Sequence, residues 1–266
     1  IEISNNNNFV SNNYGIHATK IKNANPNNPF VQQFDIFNSN TFNSNLAASI
    51  YISDVKGEVT LTVKGNTFLN SFNGNGVEIA SFVGPGSKVF RTLNVEQNSF
   101  FNMGMAFKSL NVGGNNSNWT VDFGTNHKDY LTSTGNTKFY NNNVAVISSA
   151  NSSAMGVYCA NSSGLLINHN SIQNKFSLDY RNRGIFLKSC YQSLIKENLV
   201  KFGYGILNQD YTLNNNILCN TLKQNVVGIS LAGSILRDPK APNPDYRIHG
   251  ALKSTFTRSR TNSFIG

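Results

Sequence analysis

The chain has 266 residues, a formal net charge of +9 and 13% charged side chains, about half the usual share, while Asn supplies about one residue in six, well above its ordinary usage of roughly one in twenty. No apolar run is long enough to cross a bilayer, and no charged-then-apolar leader opens the chain. Regular interleaving of Asn with Ile, Leu, Val and 19 Phe builds a core, which excludes a disordered, prion-like tract.

Read from the N-terminus, the chain alternates between two short units. One reads apolar, any, apolar, two turn residues, Asn, any, apolar. A copy ending at Phe9 carries a one-residue slip, and Asn40-Thr41-Phe42 is a looser copy. Full copies follow at Leu61, Val63, Asn66 and Phe68, at Leu93, Val95, Asn98 and Phe100, and at Leu165, Ile167, Asn170 and Ile172. Shorter ones stand at Ile195, Asn198 and Val200, at Ile217, Asn220 and Leu222, and at Asn262-Ser263-Phe264. The other unit is Gly, apolar, any, apolar. It occurs at Gly15-Ile16, Gly76-Val77-Glu78-Ile79, Gly104-Met105-Ala106-Phe107, Gly156-Val157-Tyr158-Cys159, Gly184-Ile185-Phe186-Leu187 and Gly228-Ile229-Ser230-Leu231. The copy around Gly203-Tyr204-Gly205-Ile206 fits two registers.

Each residue type has a physical reason for its place. Period-2 apolar residues point inward and stack on their equivalents one coil away, about 4.8 Å along the axis. The closest Asn-to-Asn interval, from Asn198 to Asn220, is 22 residues, enough for three short strands and three turns; longer intervals imply loops inserted at turns. Turns between strands need a left-handed backbone, which Gly reaches freely and Asn better than most. A repeated Asn can also bond the same amide in the coils above and below, a ladder that Asp could not form without stacking like charges. Leucine-rich repeats space Asn and aliphatic residues too, but they demand Leu at fixed places and usually a helix per repeat, and no 3.6-residue periodicity is present. The expected fold is all-β: a right-handed parallel β-helix solenoid of about nine coils with inserted loops, forming a single domain over residues 1–266.

This pattern resembles the right-handed parallel β-helix repeat family, the broad group related in fold to pectate lyases, in its Asn-rich bacterial secreted or surface form. The resemblance covers most of the chain and implies architecture. The family includes lyases, hydrolases, epimerases, phage tailspikes and non-catalytic surface proteins, so fold alone does not assign activity. Ile1 lies in an apparent strand, Gly266 in an apparent coil, and neither end shows a polar cap. The chain is therefore expected to be an internal or C-terminally incomplete stretch of a larger secreted or cell-surface protein.

The chemistry that the resemblance would require is sparse. Hydrolases similar in fold use clustered Asp residues with an adjacent pair; this chain has no Asp-Asp, and its thirteen carboxylates are scattered almost one per coil. Calcium-dependent lyases gather carboxylates beside an Arg or Lys. The nearest candidates are Asp54 with Glu78, and Asp179 with Arg181 and Arg183. The Asp-Pro-His motif of similar epimerases fails at Asp238-Pro239-Lys240. His17, His127, His169 and His249 are isolated, and Cys159, Cys190 and Cys219 match no metal-ligand spacing. No catalytic residue, metal or cofactor is therefore expected.

Two surface features remain. The third residue of the Gly unit should face outward, giving a row of His17, Glu78, Ala106, Tyr158, Phe186 and Ser230, extended by Leu207 in one register. Tyr158, Phe186 and Leu207 would form an apolar stripe that stacks on a glycan, docks a partner or is covered by a loop. A basic segment carries Arg237, Lys240, Arg247, Lys253, Arg258 and Arg260 with three prolines. It reads as a loop inserted in the coil that ends near Phe264, attracted to acidic polysaccharide or an acidic protein surface; no nucleic-acid motif accompanies it. The favoured function is a non-catalytic stalk or adhesin with polysaccharide or another surface protein as partner. A polysaccharide lyase or hydrolase, or a cargo or subunit of a surface or export complex, are the alternatives.

Overall fold

In a computed structural model of the chain, the two units become strands that recur in strict order. The structure describes residues 1–21, 32–54, 59–80, 92–112, 137–147, 153–162, 164–174, 182–190, 193–210, 215–232, 234–237, 246–249, 258–260, 262 and 263–265. Every regular element among them is a β-strand. Each of the first eight coils lays one strand in each of three sheets, the ninth lays one in the first two among the described residues, and strands pair in parallel with their equivalents one coil away. The first sheet begins at Glu2–Ser4 and ends at Arg258–Arg260, and the second runs from Asn8–Val10 to Ser263–Ile265, each with nine strands. Eight six-residue strands, from Tyr14–Thr19 to Val227–Ala232, make the third. The chain is thus an all-β parallel solenoid of nine coils among the described residues.

Stacking in register turns the repeated apolar positions into columns. On the first sheet Ile36, Val63, Val95, Phe139, Ile167, Ile195 and Ile217 follow one another. On the second, the rings of Phe9, Phe42, Phe68 and Phe100 lie 4.7, 4.9 and 4.5 Å apart, within 9° of parallel. Those spacings match the rise of one coil, so each ring is stacked on its neighbour, and all but the half-buried Phe9 are fully buried. From Ile36 to Ile217 the first column is almost fully buried.

The corner between the first and second sheets carries the Asn ladder. Asn7, Asn40, Asn66, Asn98, Asn142, Asn170, Asn198, Asn220 and Asn262 follow one another coil by coil. From Asn40 onward, each Oδ1 accepts from both the backbone N–H and the Nδ2 of the Asn one coil before it, at 2.9–3.3 Å. The second Nδ2 hydrogen reaches a main-chain carbonyl of the preceding coil, as from Asn170 to Phe139 at 2.9 Å. Asn40 to Asn220 are essentially fully buried, and this arrangement is what permits it.

Turn-forming Asn is a separate set. Asn5, Asn6, Asn38, Asn70, Asn102, Asn111, Asn141 and Asn161 occupy left-handed corner positions, which Ser, Gln, His and Glu also fill in other coils. The slip near Phe9 is a real insertion: the first two coils turn the ladder corner with two left-handed residues, Asn5-Asn6 and Asn38-Ser39, where Gly65 or His169 suffices later.

The recurrent glycines differ from expectation. Gly15, Gly76, Gly156, Gly184, Gly205 and Gly228 sit inside third-sheet strands without a left-handed backbone. A Cβ at Gly76 would lie 2.6 Å from the Phe100 ring, and at Gly184 2.2 Å from Val200 and 2.7 Å from the Gly205 carbonyl. Close approach to the second-sheet column, not turn conformation, selects these residues.

Candidate functional site on the outer face of the third sheet

Strand pairing sets one outward row along the third sheet: His17, Tyr51, Glu78, Lys108, Tyr158, Phe186, Leu207 and Ser230. Leu207 joins it because Gly205, not Gly203, is the strand glycine of its coil. Ala106 is displaced from the expected row. Met105 pairs with Asn75 and Phe107 with Val77, which puts Ala106 at the glycine position, fully buried, and leaves Lys108 facing outward. Tyr51 is an unexpected member, since Ala48-Ser49-Ile50-Tyr51-Ile52 carries Ser49 where most other coils have Gly.

The row divides by chemistry. In the first two coils, Tyr14 stacks on His17 with centroids 4.7 Å apart, and Tyr51 packs against both at 5.4 and 5.1 Å. His17 is exposed and both tyrosines are half-buried. In the next two, Lys108 Nζ lies 2.8 Å from Glu78 Oε1, and the Asn75 amide donates to Glu78 Oε2. Further on, the Tyr158 and Phe186 rings are 5.2 Å apart, with the Arg183 guanidinium 4.5 Å above the Phe186 centroid.

Phe186 and Leu207 were expected to be exposed; they are only 6% and 9% exposed. Arg183 and Tyr158 lie against the Phe186 ring, so this end presents Tyr158 and Arg183 with Phe186 as a brace beneath. Burial holds the Tyr158 phenol above its ordinary pKa, while the Arg183 charge pulls it the other way.

Strand ends place this face between the two corners that take insertions. The ladder corner spans only two or three residues in every coil. Longer segments leave one flank of the third sheet between Thr19 and Gln32, Ala80 and Thr92, Leu110 and Thr137, and Ala232 and Arg258. The other flank takes those between Val146 and Met155 and between Asn174 and Arg183.

Asp54 and Glu78 sit on adjacent coils, with Asp54 at a left-handed corner; Asp179 and Arg181 lie outside the described residues. His169 occupies a ladder corner, 3.0 Å from Glu197 Oε2, and Lys64 pairs with Glu96 at 3.1 Å. Among the described residues, no group of three or more His, Cys, Asp or Glu is placed to hold a metal ion. The basic segment is split: Arg237 and Arg247 belong to an antiparallel strand pair, Ser234–Arg237 with Tyr246–His249, while Arg258 and Arg260 form the last strand of the first sheet. Lys240 and Lys253 lie outside the described residues. No helix among the described residues is long and apolar enough to cross a membrane. No family model, curated protein or solved structure matches this chain.

Proposed function

We propose that this protein is a non-catalytic module of a secreted or cell-surface protein, a rigid stalk or adhesin that contacts polysaccharide through the outer face of its third sheet. The observation that supports this reading is the in-register row with ring groups at both ends, Tyr14, His17 and Tyr51 at one and Tyr158 with Arg183 at the other. A sugar ring presents an apolar C–H face to such rings, and Arg183, Lys108 and His17 would supply donors to its hydroxyls or carboxylates. Because the row follows the solenoid axis, the ligand that fits it is a linear chain. The relation to pectate-lyase-like proteins and the bacterial, extracellular setting are part of the same proposal.

Tyr51→Ser with Tyr158→Ser is the informative double variant, since both rings are only half-buried. On a glycan array the wild type is expected to bind a set of linear polysaccharides and the variant to lose them, with thermal unfolding unchanged. Binding that survives the substitutions, or a wild type that binds nothing, overturns the reading. Glu78 and Lys108 favour one second reading, a polysaccharide lyase or hydrolase, because they set a carboxylate and an amine 2.8 Å apart on this row, the kinds of group that serve as acid and base in such reactions. Under it, the array hits would be cleaved on incubation and Glu78→Gln would stop the cleavage.

A further inference from the structure

A different face of the solenoid carries a second feature. Four large apolar side chains, one on each of the first four coils, stand in solvent around the second sheet and its far corner: Val10 (46% exposed), Leu46 (70%), Phe72 (45%) and Phe101 (37%). At about 4.8 Å per coil they span roughly 15 Å along the axis. The chain around them, over 4–16, 38–48, 65–77 and 97–107, contains no charged side chain. Among its half-buried amides, Asn102 donates to Asn70 at 3.0 Å and Asn70 to Asn43 at 3.1 Å. Charge returns to this sheet only at Lys201 and Lys223.

We propose that this uncharged face is a self-association surface and that its occupant is a second copy of the same chain, related by a two-fold axis. Under such an axis a patch meets itself, so any net charge on it would face like charge. In a chain of net charge +9 this condition is hard to meet. The first sheet fails it with Glu2, Asp35, Lys64, Glu96 and Lys196, and the third with Glu78, Lys108 and Arg183. Here the apolar side chains supply the driving force, and burying the Asn43, Asn70 and Asn102 amides, already bonded to one another, costs little. Four side chains over about 15 Å make a short contact, so association should depend on concentration.

Sedimentation velocity of the full chain over about two decades of concentration is expected to show a monomer–dimer shift. Leu46→Lys and Leu46→Glu each change one well-exposed side chain, so the fold should persist, as circular dichroism would verify. Either variant alone is expected to stay monomeric, and an equimolar mixture of the two to recover the dimer. A wild type that remains monomeric, a dimer that survives in either variant, or a mixture that stays monomeric overturns the proposal. Glycan binding at the third sheet should be unaffected by these substitutions, which separates failure here from failure of the proposed function.

Discussion

At the scale of single residues, the same amino acid performs two jobs that composition cannot separate. Asn170 accepts from the N–H and Nδ2 of Asn142 and donates to Phe139 O and Asn198 Oδ1. Asn170→Ala orphans several buried groups at about 1–3 kcal/mol each, so a loss of roughly 3 kcal/mol or more is expected in urea denaturation. Asn170→Asp should be no better, because a carboxylate cannot donate to the Phe139 carbonyl. Asn141, at the left-handed corner one residue before the ladder, should tolerate Gly within about 0.5 kcal/mol. The cysteines divide in a similar way. Cys159 and Cys190 are buried and Cys219 is exposed, and burial pushes the Cys159 thiol up to about 12 and Cys190 well above its ordinary value. Alkylation of the native protein should therefore modify Cys219 and spare the other two until unfolding. A thiol whose folded pKa exceeds its unfolded one contributes fully at neutral pH, and that contribution is lost as pH rises from about 9 toward 12. The urea midpoint should fall across this window, and less steeply in Cys159→Ala/Cys190→Ala.

Among elements, the third-sheet strands are the most demanding, because their glycines face neighbouring side chains and carbonyls. Gly184→Ala must displace both Val200 Cγ1 and the Gly205 carbonyl, an overpacking expected to cost about 1–3 kcal/mol. Gly65 has a φ of +66° and open space around its Cα, so Gly65→Asn should be close to neutral by thermal unfolding. These positions show why the fold was largely legible in the sequence and the register only partly so. Alternating apolar residues and ladder Asn are spaced by the strand and corner geometry itself, and they identify the solenoid unaided. A glycine beside an apolar residue is a weaker signal, since Gly104 mimics the motif while Ala106 holds the structural position. The Asn142 rung was hidden by its neighbours Asn141 and Asn143, and the Asn7 rung by the longer corner before it.

Across the whole molecule, the candidate site was legible in outline, as an outward row, but not in exposure: Tyr158 and Phe186 were placed side by side, whereas Arg183 above Phe186 arises from side-chain geometry that no repeat encodes. Tyr14 and Tyr51 were missed because aromatic pairing across coils depends on register. The deeper regularity is that every coil contacts chiefly its two neighbours, so stability should be a sum over coil interfaces. That makes an internal deletion informative. Leu194 pairs with Asn216 one coil on, and the Asn216 N–H bonds Ser193 O at 2.8 Å. Removing residues 194–215 would join Ser193 to Asn216 and excise one 22-residue turn. Ile217 would then stack on Ile167, Leu222 on Ile172, Ile229 on Ile185, and Asn220 would receive the ladder bonds from Asn170. The shortened chain is expected to keep its β-sheet circular dichroism and cooperative unfolding, with a midpoint lowered by about the worth of one interface. Removing only 205–215 takes away part of a turn, so the following strands would meet the wrong sheets, and that variant should not fold. If the full-turn deletion also fails, the coils are not interchangeable units and the nearest-neighbour account of this solenoid is wrong.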